Sequence, residues 1–169
     1  MPFATTPTPS AIRFDEPVRS VLRAKERSGV SPGKRPPVWS ISPESTVYQA
    51  IEMMSERQVG ALIVLSGGHL AGIISERDYA RKVILRGRSS HETLVREIMS
   101  TPVLYVRPEQ TVEECMHLMT SRRIRHLPVL EGDAVAGMLS IGDLVNWIVQ
   151  SQDQTIHHLT NYIAGQYPA

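Results

Sequence analysis

Sliding residues 42–83 forward by 65 positions lays them on 107–148 without a gap. Pro43, Glu44, Thr46 and Val47 fall on Pro108, Glu109, Thr111 and Val112. Met54 and Arg57 fall on Met119 and Arg122, and Leu62, Val64, Leu65 and Gly67 fall on Leu127, Val129, Leu130 and Gly132. Ala71, Gly72, Ser75 and Asp78 fall on Ala136, Gly137, Ser140 and Asp143. Ungapped identities that include the punctuating Gly and Pro residues mean one supersecondary unit built twice. The fold must therefore bury the same apolar face in two copies.

Each unit opens with a short strand, expected at Val38–Ile41 and Val103–Val106. A helix follows, started by Thr46-x-x-Gln49 or Thr111-x-x-Glu114, which fit a capping box. Val47, Ala50, Ile51 and Met54 fall on one helical face, as do Val112, Cys115, Met116 and Met119. Next come an apolar strand, Ala61–Leu65 or Leu127–Leu130, a Gly67-Gly68 or Gly132-Asp133 turn, and a third strand ending at Ser75 or Ser140. A second helix starts near Asp78 or Asp143. The order is β-α-β-β-α, twice, an α+β chain whose units pack together about a pseudo-twofold axis to cover their sheets. The expected division is a mobile N-terminal segment over 1–35, repeat one over 36–86, a connector over 87–98, repeat two over 99–150 and a helical tail over 151–169. The first segment contains a short helix at 17–28, with Val18, Val21 and Leu22 on one face, and a Gly/Pro-rich linker at 29–37. The connector carries a helix from Thr93 to Met99, and the tail an amphipathic one through Ile156, Leu159, Tyr162 and Ile163.

The net charge of +1 gives no global field for nucleic acid or anionic membrane. No apolar run approaches the roughly 20 residues that span a bilayer. One cysteine, Cys115, excludes an internal disulfide framework and suits a reducing, cytoplasmic setting. It cannot build a structural zinc site, and the histidines form no HExxH, so no metal is expected. Cys115 takes the place of Ala50 on a buried face, which fits packing and not a reactive thiol.

The chemistry gathers at Gly72-Ile73-Ile74-Ser75-Glu76-Arg77-Asp78 and Gly137-Met138-Leu139-Ser140-Ile141-Gly142-Asp143. A serine and an aspartate three residues on, where a strand runs into a helix, cap that helix and complement its dipole. The same groups fit a nucleotide: a carboxylate accepts from both ribose hydroxyls, while a hydroxyl and free helix amides hold phosphate. The run Arg122-Arg123-Ile124-Arg125-His126 is either a solvated helix end or a phosphate clamp. The first unit has Arg57, Gln58, Val59, Gly60 and Ala61 there, so the two sites are expected to be unequal; Arg77, Arg81 and Lys82 could compensate.

Two tandem units that each close with Gly-h-h-Ser-x-x-Asp (h, apolar) resemble a cystathionine-β-synthase (CBS) domain pair, or Bateman module. The sequences Ser75–Val83, Arg123–Val129 and Asn161–Gly165 are similar to those of small stand-alone bacterial CBS-pair signal-transduction proteins. The resemblance implies adenosyl ligands in the clefts between units: AMP, a dinucleotide such as NAD(H), or ATP or ADP. It implies that Asp78 and Asp143 take ribose, and that Ser75 and Ser140 face ribose or phosphate. Val38, Val103, Leu62 and Leu127 would enclose adenine; Arg125 and His126, with Arg77, would reach phosphate. Ser100 and Thr101 supply the hydroxyl that relatives carry before the first strand, whereas the first unit has Pro36 and Pro37. It further implies a non-catalytic homodimer that regulates another protein. The alternative is an interaction or dimerisation protein whose aspartates only cap helices over empty clefts.

Overall fold

The computed structural model describes residues 14–28 and 38–163, with side chains over 14–27 and 38–152. The stretch expected to be mobile up to residue 13, the linker at 29–37 and the tail's apolar face at Ile156, Leu159, Tyr162 and Ile163 lie outside these residues or side chains.

Both units form as α+β layers. In the first, β1 (Ser40–Ile41) lies parallel to β2 (Ala61–Ser66), and β2 pairs antiparallel with β3 (His69–Ser75). The helices α2 (Val47–Arg57) and α3 (Glu76–Lys82) complete it. β2 is central, and its four successive buried residues Ala61, Leu62, Ile63 and Val64 explain why it reads as a continuous apolar run. In the second unit α5 (Val112–Arg122) precedes β4 (His126–Glu131) and β5 (Ala134–Ser140), paired in the same register. Capping boxes at Thr46/Gln49 and Thr111/Glu114 start α2 and α5 as the spacing requires. The Gly67-Gly68 turn between β2 and β3 has φ of 58° and 82°, values that only glycine adopts without strain.

The first strand of unit two does not form. Only an isolated parallel bridge, Val106 to Val129, stands where Val103–Val106 was expected. The cause is one residue. In unit one the Ile63 N–H donates to the Trp39 carbonyl at 3.1 Å. Its counterpart in unit two is Pro128, which has no N–H to give. A second difference is helix length. The tail helix and the second helix of unit two are one element, α6 (Ile141–Ile163), because no Gly or Pro stands between Gly142 and Gly165.

Each unit has its own core. Val47, Ala50, Met54, Leu62, Val64 and Ile74 form one; Val112, Cys115, Met119, Leu127, Val129, Leu139 and Leu144 form the other. The expected helix at 17–28 appears as α1 (Val18–Ser28), and the connector helix is the single turn α4 (Val95–Ile98). Their docking is crossed. Val95 and Ile98 enter the core of unit one, whereas Val18 and Val21, from ahead of unit one, enter the core of unit two. The backbone repeats this. Val95 N–H donates to Ser45 O at 2.9 Å and Arg96 N–H to Pro43 O at 3.0 Å; Val18 N–H donates to Gln110 O at 2.8 Å and Arg19 N–H to Pro108 O at 3.0 Å. Pro17-Val18-Arg19-Ser20-Val21-Leu22 is thus a copy of Leu94-Val95-Arg96-Glu97-Ile98-Met99.

The copied glycines Gly72 and Gly137 make room for these two segments. A Cβ on Gly72 would sit 2.5 Å from Met99 Sδ, and one on Gly137 2.9 Å from Leu22 Cδ2. Gly72→Ala is expected to lower unfolding free energy by about 1–3 kcal/mol through overpacking. Met99→Ala in the same chain should recover part of that loss, as measured by denaturant unfolding of the single and double variants.

Candidate functional site

The two Ser-x-x-Asp junctions are reciprocal helix caps. Ser140 N–H donates to Asp143 Oδ2 at 2.8 Å, and Asp143 N–H donates to Ser140 Oγ at 3.1 Å. In unit one Ser75 N–H donates to Asp78 Oδ2 at 3.0 Å, and Asp78 N–H donates to Ser75 Oγ at 3.3 Å. The capping reading is therefore realised in both copies. Capping also fixes the direction of each carboxylate, and there the copies part.

Asp143 faces a cavity of about 400 Å³ between the units. Unit one supplies Val38 and Trp39 ahead of β1, Gln58, Val59 and Gly60 between α2 and β2, and Ala61 at the start of β2. Unit two supplies His126, Ala136, Gly137, Met138, Ser140 and Asp143, and α1 adds Leu22, Lys25 and Glu26. Trp39 is held from one side by the Arg57 guanidinium, 4.2 Å from the ring centroid. Lys25 Nζ donates to Asp143 Oδ2 at 2.9 Å and to the Met138 carbonyl at 3.3 Å. Among the described residues, Asp143 Oδ1 accepts no hydrogen bond.

Asp78 is more fully engaged. Its Oδ2 also accepts from the Ser75 hydroxyl at 2.8 Å. Its Oδ1 meets the Ser100 hydroxyl at 3.2 Å and Lys82 Nζ at 2.7 Å. The side chain keeps 12% of its exposure against 21% for Asp143.

The basic run divides. His126 faces the Asp143 cavity, while Arg125 turns with Arg123 and Arg77 into a separate, more open cavity of about 270 Å³ beside α5. Arg77 donates to the Arg123 carbonyl across the units at 2.6 Å. Arg125 lies in the bend before β4 and His126 opens the strand, and the two line different cavities. Alternation along β2 and β4 turns Leu62 and Leu127 into the two cores, one residue beyond the cavity-lining Ala61 and His126. Val103 and Thr101 line neither of these two cavities; Thr101 precedes Pro102 across a cis peptide bond. Gln58 and Arg123, at the ends of α2 and α5, both hold φ near 55°, rare without glycine, and each faces one of the cavities. Cys115 is buried, which pushes its thiol up to about 11 and leaves it inert at neutral pH.

Lys25, Trp39 and Leu22 are lining residues that the Ser-x-x-Asp motif does not mark. The sequence does carry a signal for them: the Val-Arg-x-(Val/Ile)-(Leu/Met) copy identifies 18–22 as a second docking segment. Trp39 lies beside Val38, a residue already expected at the cleft.

Comparison with known proteins gives a consistent result. A family model described as "CBS domain" matches residues 34–84 and 95–150. The chain is 45% identical over 129 residues to the CBS domain-containing protein CBSX3, mitochondrial, of Arabidopsis thaliana, covering 73% of this chain and 63% of that one. A solved CBS-domain protein from Burkholderia ambifaria shares 47% identity with a TM-score of 0.74, covering 81% of this chain and 96% of the other. The CBS domain pair of protein MJ0100, solved in complex with 5-methylthioadenosine and S-adenosyl-L-methionine, has a TM-score of 0.66 at 19% identity. That alignment covers 80% of this chain and 98% of the other, and it shows the shared fold.

Burial holds His126 below the ordinary histidine range; Lys25, Arg125 and Arg77 push the same way and Asp143 opposes. The unfolded chain takes up this proton near pH 6.5, the folded chain only at lower pH. The stability from keeping His126 neutral is therefore complete above about pH 6.5 and is lost as pH falls from there. His126→Gln should flatten the fall in Tm between about pH 7 and pH 5. Equal slopes for the two proteins would mean that His126 contributes nothing to the pH dependence.

Proposed function

This chain belongs to the CBS-domain family, as a pair of such domains, and from that premise we propose that it is a regulatory module sensing an adenosyl ligand in the Asp143 cleft. One observation carries the reading. Asp143 is a carboxylate fixed in direction by its helix cap, and it lines an inter-unit cavity that Trp39 flanks; among the described residues its Oδ1 accepts no hydrogen bond. A ribose hydroxyl suits Oδ1, and an adenine ring suits the apolar walls formed by Val38, Trp39, Ala61 and Ala136. The adenosyl ligands of the MJ0100 pair support this class of ligand. Within it, AMP and NAD(H) are the first candidates, followed by ATP and ADP. Ser140 stands at the ribose and His126 at the ligand's polar end; no catalytic step is assigned.

A second reading applies to unit one. Asp78 has both oxygens satisfied by Ser75, Ser100 and Lys82, which favours a capping role there and a weaker or empty cleft. Arg77, Arg123 and Arg125 would serve a phosphate only if that side is occupied. A second copy of the chain is the proposed partner, with Val145 and Val149 presenting an exposed apolar edge on α6. Ligand binding would alter the shape of this dimer and so its affinity for a regulated protein.

Nucleotide-stripped protein titrated with AMP, ADP, ATP, NAD⁺, NADH and S-adenosylmethionine tests the reading by calorimetry and thermal shift. A hundredfold excess over Kd stabilises by about 2.7 kcal/mol. Asp143→Asn, which preserves the cap's shape, should weaken the tight site at least about tenfold, since a bond to a charged acceptor contributes roughly 1.5–3 kcal/mol. Asp78→Asn should leave that site unchanged. No response to any of the six compounds would sink the proposal.

A further inference from the structure

We propose that Lys25 is a latch on the Asp143 cleft, and that a ligand diol displaces it and loosens the second half of α1. This rests on the adenosyl reading of the cleft. A vicinal diol bonds a carboxylate most fully through both oxygens. Among the described residues Asp143 Oδ1 accepts no hydrogen bond, but Oδ2 already accepts from the Ser140 N–H at 2.8 Å and from Lys25 Nζ at 2.9 Å. The Ser140 N–H belongs to the cap and cannot leave without unwinding the start of α6. Lys25 is on a flexible stem with 37% of its side chain exposed, so it is the partner that gives way.

The effect of displacing a cation depends on the element that carries it. In unit one the cation on Asp78 is Lys82, one turn along the same helix, and it also donates to the Ile98 carbonyl of α4 at 2.7 Å. Lys25 belongs to α1, from a different part of the chain. The first turn of α1 stays fixed through Val18, Val21 and the bonds to Gln110 and Pro108. Beyond it, Leu22 packs against Gly137 of β5, and Lys25 bonds the Met138 carbonyl of β5 and Asp143 of α6. Displacing Lys25 removes these two bonds, so occupancy of the cleft is transmitted to residues 23–28.

The experiment compares AMP and adenosine binding to the natural protein and to Lys25→Met by calorimetry, with amide exchange over residues 20–28 recorded in both states. A partly exposed ion pair contributes about 0.2–1 kcal/mol, so Lys25→Met should bind both compounds more tightly, by up to about fivefold. In the natural protein, exchange over 23–28 should quicken when AMP binds while that of Val18 to Val21 stays constant. The exchange result stands even if Lys25→Met folds poorly. Weaker AMP binding by Lys25→Met with adenosine unaffected would make Lys25 a phosphate contact and overturn the latch, as would unchanged affinity with unchanged exchange. Failure of both proteins to bind adenosine or any of the six compounds above would overturn the adenosyl reading itself, and the latch with it.

Discussion

The reciprocal hydrogen bonds between Ser140 and Asp143, repeated at Ser75 and Asp78, set the point where each strand turns into a helix. A helix start leaves backbone donors without partners, and a short polar side chain satisfies them at little entropic loss. That local need accounts for both residues without any ligand. It also fixes the carboxylate direction, so a group required for folding is already oriented for binding. In unit two that direction is into the cavity; in unit one it is toward Lys82 and Ser100. Whether such a junction binds a ligand is thus decided by what stands opposite the carboxylate.

The two units diverge through few residues. Pro128 in place of Ile63 removes one N–H, and the first strand of unit two shrinks to a bridge. α4 ends after one turn, and Ser100 then exchanges backbone bonds with Ile73. α1 continues to Ser28 and brings Lys25 alongside Asp143 instead. The cavity at Asp143 therefore has a helical wall in α1.

Much of this is legible in the sequence. The copied Thr-x-x-Gln/Glu boxes, the period of Val47, Ala50 and Met54, and the Gly67-Gly68 turn are local signals, and local signals locate elements well. The lost strand depends on a hydrogen bond to a residue far along the chain, so Pro128 gives no warning where the strand is expected. Leu62 and Leu127 are expected at the cleft but lie one residue away from it, because an apolar run conceals which side faces the cleft. Lys25 escapes motif reading because its role depends on crossed docking, which only a second, weaker repeat discloses.

That crossing bears on how the chain is made. A ribosome releases α1 first, yet the core that receives Val18 and Val21 includes Leu139 and Leu144. Unit one and its α4 can finish packing while α1 still has no seat, so the amphipathic face of α1 must remain uncommitted through most of synthesis. The same geometry limits dissection. A fragment cut at residues 95–150, where the family model delimits the second domain, would carry Val112, Leu127 and Leu139 without the two valines that cover them. A fragment that kept α1 but lost unit two would leave those valines with nothing to cover.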